Sequence, residues 1–387
     1  MMAEAYIVAA ARTAGGKRGG RLSGWHPVDL GAEVIKALAA RVRCDPAAVD
    51  DVIFGCVSQV AEQSTNVARN VVLAAGFPES VPGTSVDRQC GSSQQALHFA
   101  AQAVLSGQMD IVIAGGVESM TRTPMGSPSR ISGLGGYMSP ALQKRYPGIE
   151  FSQFDGAEML ARKHDISKAS LDEYSLASHE KAMAATRAGA FDDEIVALAV
   201  ETEKGKDIHK IDEGIRFDAT LQSIGGVKLL REGGRITAAN ASQICDGASG
   251  VMVVSERGLK TLGVAPMARI HHMSVMGEDP VIMLEAPLNA TKRALKKAGM
   301  TVNDIDLFEV NEAFAPVPLA WLAATGADPA RLNVNGGAIA LGHPLGASGT
   351  KLMTTLLYAL KKRNKRYGLQ TMCEGGGMAN VTIVERL

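Results

Sequence analysis

The chain has 387 residues and carries no formal net charge at pH 7, with 40 Lys plus Arg against 40 Asp plus Glu. This balance gives no electrostatic reason for nucleic acid or an anionic membrane to be the main partner. The length indicates about two to three domains, and the 42 glycines with few aromatic residues favour an α/β enzyme with many tight turns.

The five cysteines indicate a reducing compartment, because their number is odd and they show neither CxxC pairs nor the His spacing of a zinc site. No metal site is predicted. Arg12 interrupts the apolar N-terminal run long before the roughly 20 apolar residues of a membrane span. The terminal Glu385-Arg386-Leu387 is not a peroxisomal signal of the SKL type. We therefore expect a cytoplasmic protein.

Strand and helix patterns alternate over the first part of the chain. Residues 5–10 and 51–57 predict buried strands, and apolar residues at helical spacing between them (Leu30, Val34, Leu38, Val42) predict a helix. A helix over residues 65–75 is followed by a short strand and a further helix up to residue 105, and then by a strand at 110–119. Such alternation requires crossover connections and indicates a largely parallel sheet covered on both faces.

A polar, weakly periodic excursion interrupts this alternation before the pattern resumes and repeats. Residues 247–255 predict a strand that returns to the first sheet, and the order of elements then echoes the first half. Residues 304–310 match 51–57, the helix after Gly346 matches the one after Cys90, and 368–372 match 110–119. We predict a duplicated βαβ unit. The predicted domains are an N-terminal half (1–117 plus 243–264), an inserted segment (118–242) and a C-terminal half (265–387).

Cys90 lies where a predicted strand ends and a predicted helix begins. The first N–H groups of a helix lack intrahelical partners and the helix dipole is positive there, so this position favours a thiolate. Cys90 is a candidate nucleophile on that ground. A buried structural thiol is the alternative, since cysteine is among the most buried residue types.

The second half contributes three further candidates at predicted strand or helix ends. Asn311 follows strand 304–310 and can donate through its amide, although a helix N-cap is equally compatible with its position. His343 lies in the glycine-rich stretch 335–349, where it can act as a base or as a donor to an oxyanion. Cys373 precedes three glycines that offer free N–H donors. The glycine-rich segments lack the Walker and GxGxxG patterns of nucleotide loops.

Together, Cys90, His343 and Cys373 with the NEAF and GHPLGASG segments closely resemble the thiolase family, which comprises acetyl-CoA C-acetyltransferases and 3-ketoacyl-CoA thiolases. The resemblance covers nearly the full length. Related ketoacyl synthases carry Cys-His-His and lack the late cysteine. The resemblance implies an α/β, duplicated thiolase-type fold in which two βαβαβ-containing halves pack as αβαβα layers with an inserted loop domain.

The resemblance also implies a role for each site residue. Cys90 becomes the acylated nucleophile and Cys373 the acid/base. His343 activates Cys90 and, with a water held by Asn311, stabilises the enolate oxygen of acetyl-CoA. The backbone N–H groups of Cys90 and Gly375 form a second oxyanion hole. The implied reaction is thiolytic cleavage of a 3-ketoacyl-CoA, as in fatty-acid β-oxidation, or the reverse condensation.

For coenzyme A, the resemblance implies a substrate rather than a permanently bound cofactor. Arg216, Ser223 and Ser242 match positions near coenzyme A in the family's loop domain. The implied partners are coenzyme A and acyl-CoA thioesters, and the expected assembly is a homodimer or homotetramer.

Two single positions and one four-residue segment depart from the family's pattern near the active site. Asp87 stands where Asn is common, residues 284–287 replace GTGP, and Glu374 follows Cys373 where an apolar residue or Ser is usual. The CEGGG ending and the GKRGGRLSG opening resemble thiolases that act on bulky, including steroid-derived, acyl-CoA substrates. A non-catalytic thiolase-like acyl-CoA or sterol carrier is the alternative function, but such relatives tend to lose a catalytic residue.

Overall fold

A computed structural model describes residues 3–203 and 205–387; residues 1, 2 and 204, which the predicted domains include, lie outside the described residues. The strands are β1 Tyr6–Thr13, β2 Gly16–Lys17, β3 Asp51–Gly55, β4 Gly83–Val86, β5 Ile111–Ser119, β6 Ile195–Val196, β7 Leu198–Thr202, β8 Gly205–His209, β9 Cys245–Val254, β10 Ala268–Gly277, β11 Leu307–Val310, β12 Tyr367–Glu374 and β13 Met378–Arg386.

The helices are α1 Pro27–Arg41, α2 Val67–Ala74, α3 Ser92–Leu105, α4 Pro140–Arg145, α5 Gln153–Lys163, α6 Lys168–Arg187, α7 Leu221–Gly225, α8 Glu256–Leu262, α9 Ala286–Ala298, α10 Pro316–Thr325, α11 Ala338–Leu341 and α12 Ser348–Lys362. Short 3₁₀ turns lie at Pro46–Ala48, Ala61–Gln63, Ser127–Ser129, Val302–Asp304, Pro329–Arg331 and Leu345–Ala347. Within the described ranges, no helix has the length and apolarity needed to cross a bilayer.

The N-terminal half forms a sheet in the order β4-β3-β5-β9-β1. Strand β3 pairs in parallel with β4 and β5, and β9 runs antiparallel between β5 and β1. The prediction of a largely parallel sheet is therefore wrong, because β9 returns to the sheet in the opposite direction. The strand predicted at residues 247–255 is therefore confirmed as a return to the first sheet. It places the end of β5 beside the start of β9, so that the inserted segment leaves and re-enters at one edge.

The C-terminal half repeats this order as β11-β12-β13-β10. Here β11 pairs in parallel with β12, and β13 runs antiparallel between β12 and β10. A single parallel bridge from Phe308 to Leu332 stands where β4 stands in the first half. The two half-sheets join through a short antiparallel contact between β1 and β10. The predicted duplication is confirmed, because the two halves share one strand order.

Helices and half-sheets alternate in five layers. Helices α3 and α12 pack against each other between the half-sheets, whereas α1 and α2 cover the outer face of the first half and α9 and α10 that of the second. This is the predicted αβαβα arrangement. The central layer buries side chains of both helices, namely Ala96, Leu97, Ala100, Ala101, Val104, Met353, Leu356, Leu357 and Leu360.

The inserted segment contains α4 to α7 and, unexpectedly, a hairpin of β7 and β8. The sequence pattern missed this hairpin because β8 is exposed along almost all of its length and has no apolar face to alternate. Strand β6 pairs with β1, so the excursion also touches the main sheet.

Candidate active site

Cys90 lies in the turn between β4 and α3, where Gly91 is the N-cap and the first helical residue is Ser92. The turn is held by Ser92, whose hydroxyl accepts from the backbone N–H of Arg88 over 2.9 Å and donates to the Gln89 carbonyl over 2.5 Å. Cys90 itself is partly exposed. Two backbone N–H groups, its own and that of Gly375, act to lower the pKa of the thiol. The pair predicted as an oxyanion hole therefore lies at the nucleophile.

The prediction that the helix start holds Cys90 as a thiolate is wrong. Burial of the sulfur and the nearby Glu374 carboxyl raise the pKa of Cys90 to about 12, against the opposing effect of the two N–H groups. Cys90 also precedes the N-cap, outside the first helical turn in which the dipole acts. Cys90 therefore rests as a thiol and needs a base before it can attack.

His343, the predicted base, is held through both ring nitrogens. The hydroxyl of Ser348 donates to the Pro344 carbonyl over 2.8 Å, so its oxygen accepts from Nδ1 of His343 over 2.5 Å. This fixes the proton on Nδ1 and leaves Nε2 as the acceptor, 3.3 Å from the Asn311 amide nitrogen. Burial lowers the pKa of His343 to about 3, so the ring is neutral at every physiological pH.

Replacing Ser348 by Ala is expected to lower kcat at least about tenfold, because the imidazole loses its fixed tautomer and with it part of its general-base effect. Ser348→Thr keeps a hydroxyl and should restore most of the activity. The measurement is steady-state thiolysis, with Ser106→Ala as control, since the Ser106 hydroxyl also donates to a backbone carbonyl but is exposed. Equal kcat in Ser348→Ala and the native chain would contradict the role.

Asn311 follows the last residue of β11 and is 1% exposed. The N-cap alternative is excluded, since α10 begins at Pro316 with Ala315 at the cap. Within the described part of the chain, the buried amide oxygen of Asn311 has no hydrogen-bond partner. Its nitrogen faces His343, so Asn311 and His343 form one polar pair with capacity left for a substrate oxygen or a water.

Glu312 holds the loop that bears Asn311 in place. The sequence alone predicts no role for this residue. Its carboxylate accepts from the Tyr174 hydroxyl at 2.9 Å, from Ser178 at 2.7 Å and from the Asn333 amide at 3.0 Å. Tyr174 and Ser178 belong to α6 in the inserted segment. Glu312 therefore ties the loop that bears Asn311 to a second element, which restricts its movement.

Cys373 lies near the end of β12 and is 1% exposed. Burial raises its pKa, and a charge on Cys90 raises it further. Gly376 and Gly377 adopt φ of +83° and +75°, a left-handed conformation that lets the chain reverse into β13 at once. This tight reversal keeps the N–H of Gly375 at Cys90.

The first turns of helices α3 and α12, one from each half, pack against each other. At the start of α12, a Cβ added to Gly349 would lie 2.1 Å from the backbone nitrogen of Gln94 in α3. The N–H of Thr350 donates to the Ser93 hydroxyl over 3.0 Å. The first turn of α12, five residues after His343, therefore packs against the first turn of α3, which follows Cys90.

A buried carboxylate that the sequence reading missed also joins the two halves. Glu118 accepts from the N–H groups of Val57 at 2.9 Å, Ser58 at 3.0 Å and Gly346 at 2.9 Å. The first two belong to the segment after β3, and Gly346 to the loop after His343. A buried acidic residue at the end of a strand was the available signal, but its partners lie far away in sequence.

Of the three coenzyme A candidates, Arg216 and Ser223 line one small cleft. Arg216 is exposed, so its guanidinium can reach a phosphate. The Ser223 hydroxyl already serves a capping box with Thr220. Ser242 is partly buried next to the cleft residues Ala241 and Gln243, and its N–H donates to the Ala313 carbonyl.

A duplicated αβαβα fold with one cysteine before α3, a neutral histidine before α12, an amide after β11 and a second cysteine near the end of β12 is typical of an enzyme of the thiolase class. The chain belongs to the thiolase family. Residues 5–257 match the model "Thiolase, N-terminal domain" and residues 264–386 match "Thiolase, C-terminal domain".

Three relatives illustrate the similarity. The chain is 55% identical to the steroid 3-ketoacyl-CoA thiolase FadA6 of Mycobacterium tuberculosis, over 100% of this chain and 95% of the relative. It is 41% identical to an acetyl-CoA acetyltransferase of Cupriavidus necator, over the full length of both. The crystal structure of human mitochondrial 3-ketoacyl-CoA thiolase matches with a TM-score of 0.91 at 36% identity, again covering both chains completely.

Proposed function

We propose that the chain is an acyl-CoA:acetyl-CoA C-acyltransferase that cleaves a 3-ketoacyl-CoA with coenzyme A, or runs the reverse condensation, through an acyl-Cys90 intermediate. The observation that carries the proposal is that the Cys90 turn packs on the end of β12, which bears Cys373: a Cβ built on Gly375 would lie 3.0 Å from Cγ of Gln89, and one built on Gly91 would lie 1.9 Å from Oε1 of Glu374. The full-length similarity to thiolases supports the same activity.

In the first half-reaction, His343 takes the proton of Cys90 as the sulfur attacks, because burial raises the pKa of the thiol, lowers that of the imidazole and so disfavours a resting ion pair. The thiolate attacks the ketone carbon, and the bond between the second and third carbons breaks. Cys373 protonates the departing acetyl-CoA carbanion. The amide of Asn311, through a held water, and His343 stabilise the enolate oxygen that develops at this step.

In the second half-reaction, the thiol of free coenzyme A attacks the acyl-Cys90 thioester. Cys373 takes the thiol proton, and the N–H groups of Cys90 and Gly375 stabilise the oxyanion that forms on the thioester carbon. Cys90 then leaves as a thiolate and recovers its proton from His343. The first half-reaction replaces the bond between the second and third carbons by the carbon–sulfur bond of acyl-Cys90, and the second exchanges this thioester for that of coenzyme A. The reverse of the two steps is the condensation.

For the acyl group we propose a bulky chain, including steroid-derived ones. The support is the CEGGG and GKRGGRLSG segments and the 55% identity to a relative named as a steroid 3-ketoacyl-CoA thiolase. In a thiolysis assay across short, long and steroid-side-chain 3-ketoacyl-CoA thioesters, we expect the highest kcat/KM for the steroid side chain. A preference for acetoacetyl-CoA would contradict the bulky substrate and leave the thiolase assignment standing.

We assign coenzyme A binding to the inserted segment, residues 118–242, between halves formed by 1–117 with 243–264 and by 265–387. Arg216, at the cleft that Ser223 also lines, would contact a phosphate of coenzyme A, with Ser242 nearby. Coenzyme A enters as a substrate, and the mechanism needs no permanently bound cofactor. A sterol or acyl-CoA carrier remains the second candidate, but no observation favours it.

We further propose a homodimer or homotetramer in the cytoplasm. Strand β4 is at the edge of its sheet, and exposed apolar side chains lie on the neighbouring helices α2 and α3, namely Leu73, Phe99 and Leu105. An open strand edge beside apolar side chains suits pairing with a second copy. The five cysteines are all free, which suits a reducing compartment.

A further inference from the structure

Glu374 is a buried carboxyl at the centre of the site that the mechanism above leaves unused. It follows Cys373 on β12, is 0% exposed, and replaces the apolar residue or Ser expected from the family resemblance. A Cβ built on Gly91 would lie 1.9 Å from its Oε1, and the three nearest atoms all belong to the Glu374 side chain. The carboxyl therefore packs on the backbone next to Cys90.

Asn380 extends this contact to helix α3. With the amide oriented so that both of its atoms are satisfied, the Asn380 nitrogen donates to Glu374 Oε1 over 2.9 Å and its oxygen accepts from the Gln95 N–H over 3.2 Å. Gln95 belongs to the first turn of α3 and Asn380 to β13. Glu374 thus links the strand that bears Cys373 to the helix that follows Cys90.

The charged and titratable groups around Glu374 come from two elements. Arg88, in the turn before Cys90, favours the carboxylate, while burial opposes it more strongly and raises the pKa of Glu374 to about 8. Ionised Glu374 in turn raises the pKa of Cys90 and of Cys373. At neutral pH the carboxyl is therefore protonated, and above about pH 8 its charge opposes both thiolates. Its Oε2 has no hydrogen-bond partner among the described residues.

We propose that Glu374 is a positioning residue whose neutral carboxyl sets the Cys90 turn against the Cys373 strand and whose ionisation suppresses the reactivity of the nucleophile. The proposal rests on the proposed function in one respect, the role of Cys90 as nucleophile. In the mechanism that the family resemblance implies, His343 alone controls the loss of the Cys90 proton. In this proposal, Glu374 also controls it. The effect of Glu374 should be visible on the alkaline side of the pH profile of Cys90 reactivity.

The first test measures alkylation of Cys90 by iodoacetamide between pH 6 and 10, with the adduct located by peptide mass spectrometry. Glu374→Gln keeps the shape of the side chain without its charge. We expect equal rates below pH 7 and, above pH 8, alkylation about tenfold faster in the variant, which corresponds to one pKa unit. Glu79→Gln, which removes an exposed carboxylate, should behave as the native chain. Identical profiles for Glu374→Gln and the native chain would overturn the electrostatic role.

Alkylation needs no turnover, so this readout is separate from the proposed function. If Cys90→Ala retained thiolysis, the nucleophile assignment would fail while the alkylation profile still reported on Glu374. If the alkylation profiles coincided while Cys90→Ala was inactive, the inference about Glu374 would fail and the thiolase mechanism would stand.

The second test addresses the packing. Gly91 has φ −86°, which alanine adopts without strain, so Gly91→Ala introduces mainly the collision with Glu374. We expect Gly91→Ala to lose thiolysis and the double variant Gly91→Ala with Glu374→Ala to regain part of it, because the space is then free. An active Gly91→Ala, or a double variant no better than the single one, would contradict the proposed packing.

Discussion

Replacement of Cys90 by Ala is expected to lower the rate of 3-ketoacyl-CoA thiolysis by roughly 10⁴-fold or more, the scale seen when a covalent nucleophile is removed. Cys373 is not expected to take its place, because its side chain is 1% exposed whereas Cys90 is partly exposed. Intact-mass spectrometry after incubation with acetyl-CoA should show one acetyl group on the native chain and none on the variant.

A matched control is Cys44→Ala, which removes a thiol outside the site. Cys44 donates only to the carbonyl of its neighbour Asp45 and lies after α1, away from α3. It should keep full activity and the acetyl adduct. Turnover in Cys90→Ala at the native rate would refute the covalent mechanism, and an adduct elsewhere in that variant would name a different nucleophile.

The main strands and helices and their repetition in the second half could be predicted from sequence because they depend on short-range patterns. Buried strands such as β5 are continuous apolar runs, and their repetition in the second half is visible in the residues themselves. The site residues follow directly after such strands or before such helices. The αβαβα layers and the roles of individual residues were predicted from the resemblance to the thiolase family and not from the strand and helix pattern.

The protonation states could not be predicted in this way, because they depend on partners distant in sequence. Position at a helix start predicts a thiolate at Cys90, whereas Glu374, far along the chain, and burial between the half-sheets reverse that preference. The tautomer of His343 likewise depends on how the Ser348 hydroxyl is oriented by Pro344. Desolvation and hydrogen-bond direction arise only when the two halves pack.

Replacement of Cys373 by Ala is expected to lower thiolysis by about 10²- to 10⁴-fold, the usual contribution of a positioned general acid–base. Both half-reactions need a proton transfer at Cys373. In the first, a proton must reach the departing carbanion, and in the second, a proton must leave the attacking coenzyme A. Acetyl exchange between acetyl-CoA and labelled coenzyme A should therefore slow down as well, unlike in a variant that merely weakens substrate binding and raises KM.

Cys90 should remain reactive in this variant, which separates a lost proton transfer from a damaged site. The pKa of the Cys90 thiol depends on its burial and on its neighbours Glu374 and Gly375. Removing the Cys373 side chain leaves all three in place. Iodoacetamide should then alkylate Cys90 at the native rate while turnover is lost. Native thiolysis in Cys373→Ala would exclude the second sulfur from the chemistry, and slow alkylation of Cys90 would show that Cys373 acts by holding the nucleophile in place.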